Sequence, residues 1–182
     1  MTWKVLKHGI GKGRTWRKLH FCVDEATREI ISVVASTNNV SDAEALPDVL
    51  EDVPGEIAQV SADGASDQRQ CYDTLNRHRA RAAIAPRKGA RIWSHANSRA
   101  QRQARDENWR RIRKVGRRQW KRESNYHRRS LAETTVLRFK TIFGDRLQTR
   151  RLDNQFKELL LKSAILNRMT HLGMPESVKV SG

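Results

Sequence analysis

The sequence has little cysteine, few acidic residues in its second half and no long apolar run. Only Cys22 and Cys71 occur, too few for a disulfide framework or a four-cysteine zinc site, and the count suits a reducing compartment. No apolar stretch approaches the ~20 residues needed to span a membrane. The opening MTWKVLKHGIGKGRTWRK is basic but has no apolar core, so no secretory signal is expected. The six histidines (His8, His20, His78, His95, His127 and His171) show no metal-ligand spacing and read as structural or solvated. Gly9 to Gly13 has neither Walker spacing nor a preceding strand and reads as a flexible turn. Cys71 reads as a core residue on a helix face.

Positive charge is abundant. The 182 residues hold 36 Lys+Arg against 20 Asp+Glu, a net charge of +16. Residues 1–62 carry 7 basic and 9 acidic side chains, whereas residues 77–151 carry 24 and 5. Such a field attracts phosphate backbones through counterion release. Trp93, Trp109 and Trp120 interleave the arginines. Aromatics among cations suit contact with nucleic acid, and they equally suit docking of a basic helix on a core.

Hydrophobic periodicity orders the chain. Leu19, Phe21 and Val23 alternate in a strand over 16–23, and a β-branched strand over 30–36 follows a polar turn containing Asp24. Ser41 and Glu44 form a capping box for a helix to about 51, with Pro47 expected to split off its first turns. A third strand over 57–62 ends at Asp63-Gly64. A helix capped by Asp67 then runs to about 79, and a short strand over 82–85 stops at Pro86. A basic insert at about 87–125, irregular or loosely helical, precedes helices over 128–143 and 153–171. This order predicts an α/β domain with a mixed sheet.

Two acids stand in telling places. Asp63 follows the carboxyl end of a strand, where open α/β sheets tend to place chemistry, although Asp-Gly is also an ordinary turn pair. Glu133 sits among cations. At about 100° per residue, Tyr126, Arg129, Glu133 and Lys140 fall within about 60° of one another on a helix. That stripe is either an exposed face with Arg129 and Glu133 paired, or a carboxylate set to hold a divalent ion near phosphate.

The segment YHRRSLAETTVLRFK, Tyr126 to Lys140, fits the spacing Y-x2-R-x3-E-x6-K. This resembles the C-terminal signature of bacterial insertion-sequence DDE transposases, and Ala62-Asp63-Gly64-Ala65 resembles their second-aspartate motif. GKGRTWRKLHFCVDEATREI and WKRESNYHRRSLAE are similar to the insertion-sequence-5 type. The resemblance implies a ribonuclease H-like mixed sheet with flanking helices and Mg2+-dependent (or Mn2+-dependent) DNA strand cleavage and transfer. It implies that Asp63 and Glu133 are catalytic and metal-binding, and that Tyr126, Arg128, Arg129 and Lys140 contact DNA.

The match departs from the family in two places. The family's first aspartate precedes the segment like Trp16–Val23 and has no counterpart here. Asp24 is a turn residue rather than its match. Residues 1–182 are therefore expected to form a partial catalytic domain lacking the first strand and inactive alone, holding metal weakly. Ser66 stands where the family has an aromatic, which should leave a gap near Asp63. The implied partners are terminal-inverted-repeat DNA and a second copy or a full-length transposase, in the bacterial cytoplasm at the nucleoid and with no membrane. The alternative is a non-catalytic basic DNA-binding remnant.

Overall fold

A computed structural model describes residues 2–5, 15–93 and 103–173. The turn read at 9–13, His8 and His95 lie outside the described residues. The chain opens with β1 (Thr2–Val5), a strand that periodicity did not reveal, antiparallel to the start of β2 (Thr15–Val23). β2 also pairs antiparallel with β3 (Ile30–Thr37), with Leu19 opposite Ala35 and Phe21 opposite Val33. Their connection is an Asx turn, in which the Asp24 carboxylate accepts the Ala26 and Thr27 amides at 2.9 and 2.7 Å. Asp24 is thus the turn residue the sequence implied.

α1 (Asp42–Glu51) begins with the expected capping box: Ser41 Oγ accepts the Glu44 amide and the Glu44 carboxylate accepts the Ser41 amide. Pro47 does not split the helix. Proline has no amide to offer the Ala43 carbonyl four residues earlier, and the Cys71 thiol donates to that carbonyl instead, at 3.7 Å. β4 (Gln59–Ala62) and β5 (Arg81–Ile84) form a parallel pair joined through α2 (Arg69–Arg77). Then come α3 (Ala104–Val115), α4 (Arg117–Glu123), α5 (Ser130–Phe143) and α6 (Leu152–His171).

Strand alternation distributes the core. Leu19, Phe21 and Val23 face one side of β2, where Phe139 of α5 and Leu159 and Leu166 of α6 bury against them. Cys22 faces the other side, toward Leu50 of α1, Tyr72 and Leu75 of α2, and Ile84 of β5. Half-buried Asn167 side-chain bonds tie α6 to β3, for its Oδ1 accepts the Ile30 amide and its Nδ2 donates to the Ile30 carbonyl, at 2.8 and 2.7 Å.

Two expectations need correction. The described strands make two sheets, β1-β2-β3 and β4-β5, rather than one mixed sheet. Residues 104–123 of the basic insert form a helical hairpin, broken at Gly116, whose φ of 82° favours glycine. Regularity there comes from docking: Trp120 is buried against Ala85 and Tyr126, and its indole donates to Asn108 Oδ1 at 3.2 Å.

Candidate active site

Asp63 leaves β4 in extended conformation and caps a 3-10 turn over Gly64–Ser66. Its Oδ1 accepts the Ala65 amide at 2.9 Å, and the side chain is exposed. Two arginines hold this turn from behind. Arg87 donates from Nε to the Gly64 carbonyl at 3.0 Å and from Nη2 to the Ala65 carbonyl at 3.3 Å. Arg105, buried on α3, donates to Asp67 Oδ1 at 2.9 Å and to Asp106 at 3.3 Å, and its guanidinium stacks on Trp93 at 4.1 Å. Trp93 stands edge-on to Tyr72 at 5.5 Å. Burial, then the Asp67 carboxylate, raises the Tyr72 phenol above its ordinary range.

Asp67 is not the cap of α2 that the sequence reading expected. Gln68 takes that position with no side-chain bond, while Asp67 is buried and also accepts the Arg87 amide at 2.9 Å. Sequence reasoning missed Arg87 and Arg105 altogether. The turn residues they hold, Gly64, Ala65 and Asp67, lie twenty or more residues away, and within a run of arginines nothing local marks the two that turn inward.

The stripe on the other wall forms in part. α5 starts at Ser130 rather than 128, after a 3-10 turn over Tyr126–Arg129. Glu133 lies in the first turn of α5, exposed, with Oε1 2.7 Å from Arg129 Nη1. Arg129 also lies over the Tyr126 ring at 5.5 Å. Tyr126 itself is buried against Trp120, with ring centroids 5.5 Å apart. Arg128 reaches the β2–β3 turn, where Nε meets Glu25 Oε2 and Nη2 the Glu25 carbonyl, each at 2.9 Å. Lys140 is exposed near the end of α5.

A groove of about 700 Å3 joins these walls. Ala62 and Ser66, which bracket Asp63, line it, and so do Arg129 and Ala132, which bracket Glu133 by bond and by sequence. The small Ser66 side chain is buried at its edge.

Residues 2–168 match the family model for the transposase DDE domain. The chain belongs to the DDE transposase family. No solved structure matches it.

DDE transposases work with divalent ions, for which carboxylate oxygens are the right donors. This DDE domain offers Asp63 and Glu133. Among the described residues no three His, Cys, Asp or Glu side chains gather at one point. The donors fit such an ion in kind but fall short in number among the described residues. Arg87 fixes the backbone turn that carries Asp63.

The remaining candidates in the transposase domain serve structure. Trp109 donates its indole N–H to the Ala90 carbonyl at 2.7 Å, and Trp93, Trp109 and Trp120 all help dock the basic segment. His20 is buried between Asp42 and Ser36 at 2.8 Å from each. Burial pushes the Cys22 thiol up to about 11, with Asp24 adding to the effect, and it raises the Cys71 thiol too, so neither is a poised nucleophile. Among the described residues no helix is long and apolar enough to cross a membrane.

Proposed function

We propose that residues 1–182 are part of an insertion-sequence transposase of the insertion-sequence-5 type, with a ribonuclease H-like core in the complete enzyme. Asp63 and Glu133 are two of its three metal-binding acids, and Mg2+ or Mn2+ binds weakly to this pair alone. Arg128, Arg129, Lys140 and the Tyr126 turn hold DNA phosphates beside the scissile bond. In the complete enzyme this site cuts and transfers strands at terminal inverted repeats. Residues 1–182 by themselves bind DNA and transfer no strand, because the first acid of the triad has no counterpart among them.

The observation that supports this most is one groove lined by neighbours of both acids, Ala62 and Ser66 near Asp63 and Arg129 and Ala132 near Glu133, in a chain whose 77–151 stretch carries 24 basic and 5 acidic residues. Five exposed apolar side chains on α6, Leu160, Leu161 and Ile165 among them, and two on α5 support association with a second copy or a full-length transposase. The Arg129–Glu133 ion pair favours a second reading, a non-catalytic DNA-binding remnant. Strand cleavage on terminal-repeat DNA with Mn2+ decides between them when the missing acid is supplied by an intact transposase carrying its own Glu→Gln change. Restored cleavage that depends on Glu133 supports the enzyme reading, and DNA binding without restoration supports the remnant.

A further inference from the structure

Glu25 and Arg128 stand 103 residues apart in sequence and meet beside the groove, which both of them line. Each is presented by a closed turn. The Asp24 carboxylate accepts the Ala26 and Thr27 amides. The Arg28 amide donates to the Asp24 carbonyl and the Asp24 amide to the Glu29 carbonyl, both at 2.9 Å, so the backbone on either side of Glu25 is fixed. The Arg128 amide donates to the Asn125 carbonyl at 3.0 Å, and packing of Tyr126 on Trp120 anchors that 3-10 turn.

The contact between them uses one edge of the guanidinium. Nε meets Glu25 Oε2 and Nη2 donates to the Glu25 carbonyl, each at 2.9 Å. Ser61 Oγ donates to the other carboxylate oxygen at 3.4 Å. These bonds occupy the Nε side of the fork. The Nη1 edge has no partner among the described residues, and the Arg128 side chain is 43% exposed. An arginine gripped by its side edge offers its end edge in a set direction, and that edge can take a phosphate through parallel N–H bonds. Arg129 provides the contrast, because Glu133 takes its Nη1, the edge a phosphate would need.

We propose that Glu25 is a positioning residue for DNA binding: it orients Arg128 so that the Nη1 edge receives a backbone phosphate, and an acid thereby strengthens the binding of a polyanion. The inference rests on the reading that Arg128 holds phosphate. Ordering this long side chain before DNA arrives removes part of the conformational cost of binding. An acid that merely shared the surface would repel DNA instead. The two roles predict effects of opposite sign.

The test is fluorescence anisotropy of the full chain with a labelled duplex of mixed sequence, over a salt series. Arg128→Ala should weaken binding about tenfold and shallow the slope of log K against log salt by about 0.9. Glu25→Ala should weaken binding about threefold or more and shallow the slope in the same direction, although it removes a negative charge. Glu25→Gln keeps an acceptor oxygen for Nε and should recover part of the loss. In the Arg128→Ala background, Glu25→Ala should cause no further weakening. Asp48→Asn, which removes an exposed acid of α1, should not weaken binding. Melting temperatures should barely differ, because the Glu25–Arg128 pair is partly exposed. Tighter binding by Glu25→Ala, no rescue by glutamine, or a weakening that persists without Arg128 would each overturn the proposal and leave Arg128 as a phosphate contact. Unchanged binding by Arg128→Ala would overturn the reading of Arg128 itself, and the proposal with it.

Discussion

Arg105 Nε lies 2.9 Å from Asp67 Oδ1, and both side chains are almost sealed from solvent. The pair ties the basic hairpin to the turn that carries Asp63. Removing one member leaves the other charged and buried, which costs about 3–5 kcal/mol. Arg105→Ala should therefore lower stability by that amount in urea denaturation. Arg105→Lys should recover only part of it, because lysine cannot bond Asp67 and Asp106 through a planar fork. A loss under about 1 kcal/mol for the alanine variant would contradict this role.

The Arg129–Glu133 pair behaves differently, because Glu133 is 60% exposed. An exposed i,i+4 pair contributes about 0.3–0.5 kcal/mol. Glu133→Gln should leave thermal stability nearly unchanged and tighten DNA binding by freeing Arg129 from a carboxylate. Arg129→Ala should weaken that binding. Fluorescence anisotropy at fixed salt reads both, and weaker binding by the Gln variant would count against an anion site there.

Arg110, Lys114, Arg118 and Arg122 are exposed on the α3–α4 hairpin at helical spacing. Each phosphate neutralised contributes about 0.9 to the slope of log K against log salt. Alanine at any one of them should shallow the slope by about that amount, equally for every DNA sequence. An unchanged slope in all four variants would remove this hairpin from the DNA interface.

Glu158 governs acid stability. Partial burial opposes its charge, but the Lys162 ammonium at 2.7 Å, the Gln148 and Thr149 amides and the Thr149 hydroxyl outweigh that and hold the carboxyl down at about 2. The folded-state value is below the unfolded value near 4.5. The stabilisation is therefore complete above about pH 4.5 and fades as pH falls toward about 2, by on the order of 3 kcal/mol. Glu158→Gln should flatten stability across that window. Identical pH profiles for the two proteins would refute the assignment.

Local patterns gave up most of the fold. Alternation at Leu19, Phe21 and Val23 and the Ser41–Glu44 box marked elements that form with nearly the predicted bounds, since their causes lie within a few residues. Cys71 is core, as its helix face implied. Non-local causes stayed hidden. Pro47 is tolerated because a thiol 24 residues on takes the orphan carbonyl, and α3 and α4 are ordered by tryptophans docking on distant carbonyls and side chains. Tyr126 looked like part of an exposed stripe, yet a turn ahead of α5 rotates it into contact with Trp120. For the site, the motif spacing pointed to Asp63 and Glu133, while the arginines behind Asp63 had no local signature.

Paramagnetic broadening by Mn2+ tests the central claim most directly, because it reports proximity even to a weakly held ion. With Mn2+ titrated into the isotope-labelled chain, the amides of residues 64–66 and 132–134 should broaden together, and Asp63→Asn or Glu133→Gln should weaken both sets. Broadening of the two sets at different Mn2+ concentrations, or of one set alone, would show that the two acids do not share a site.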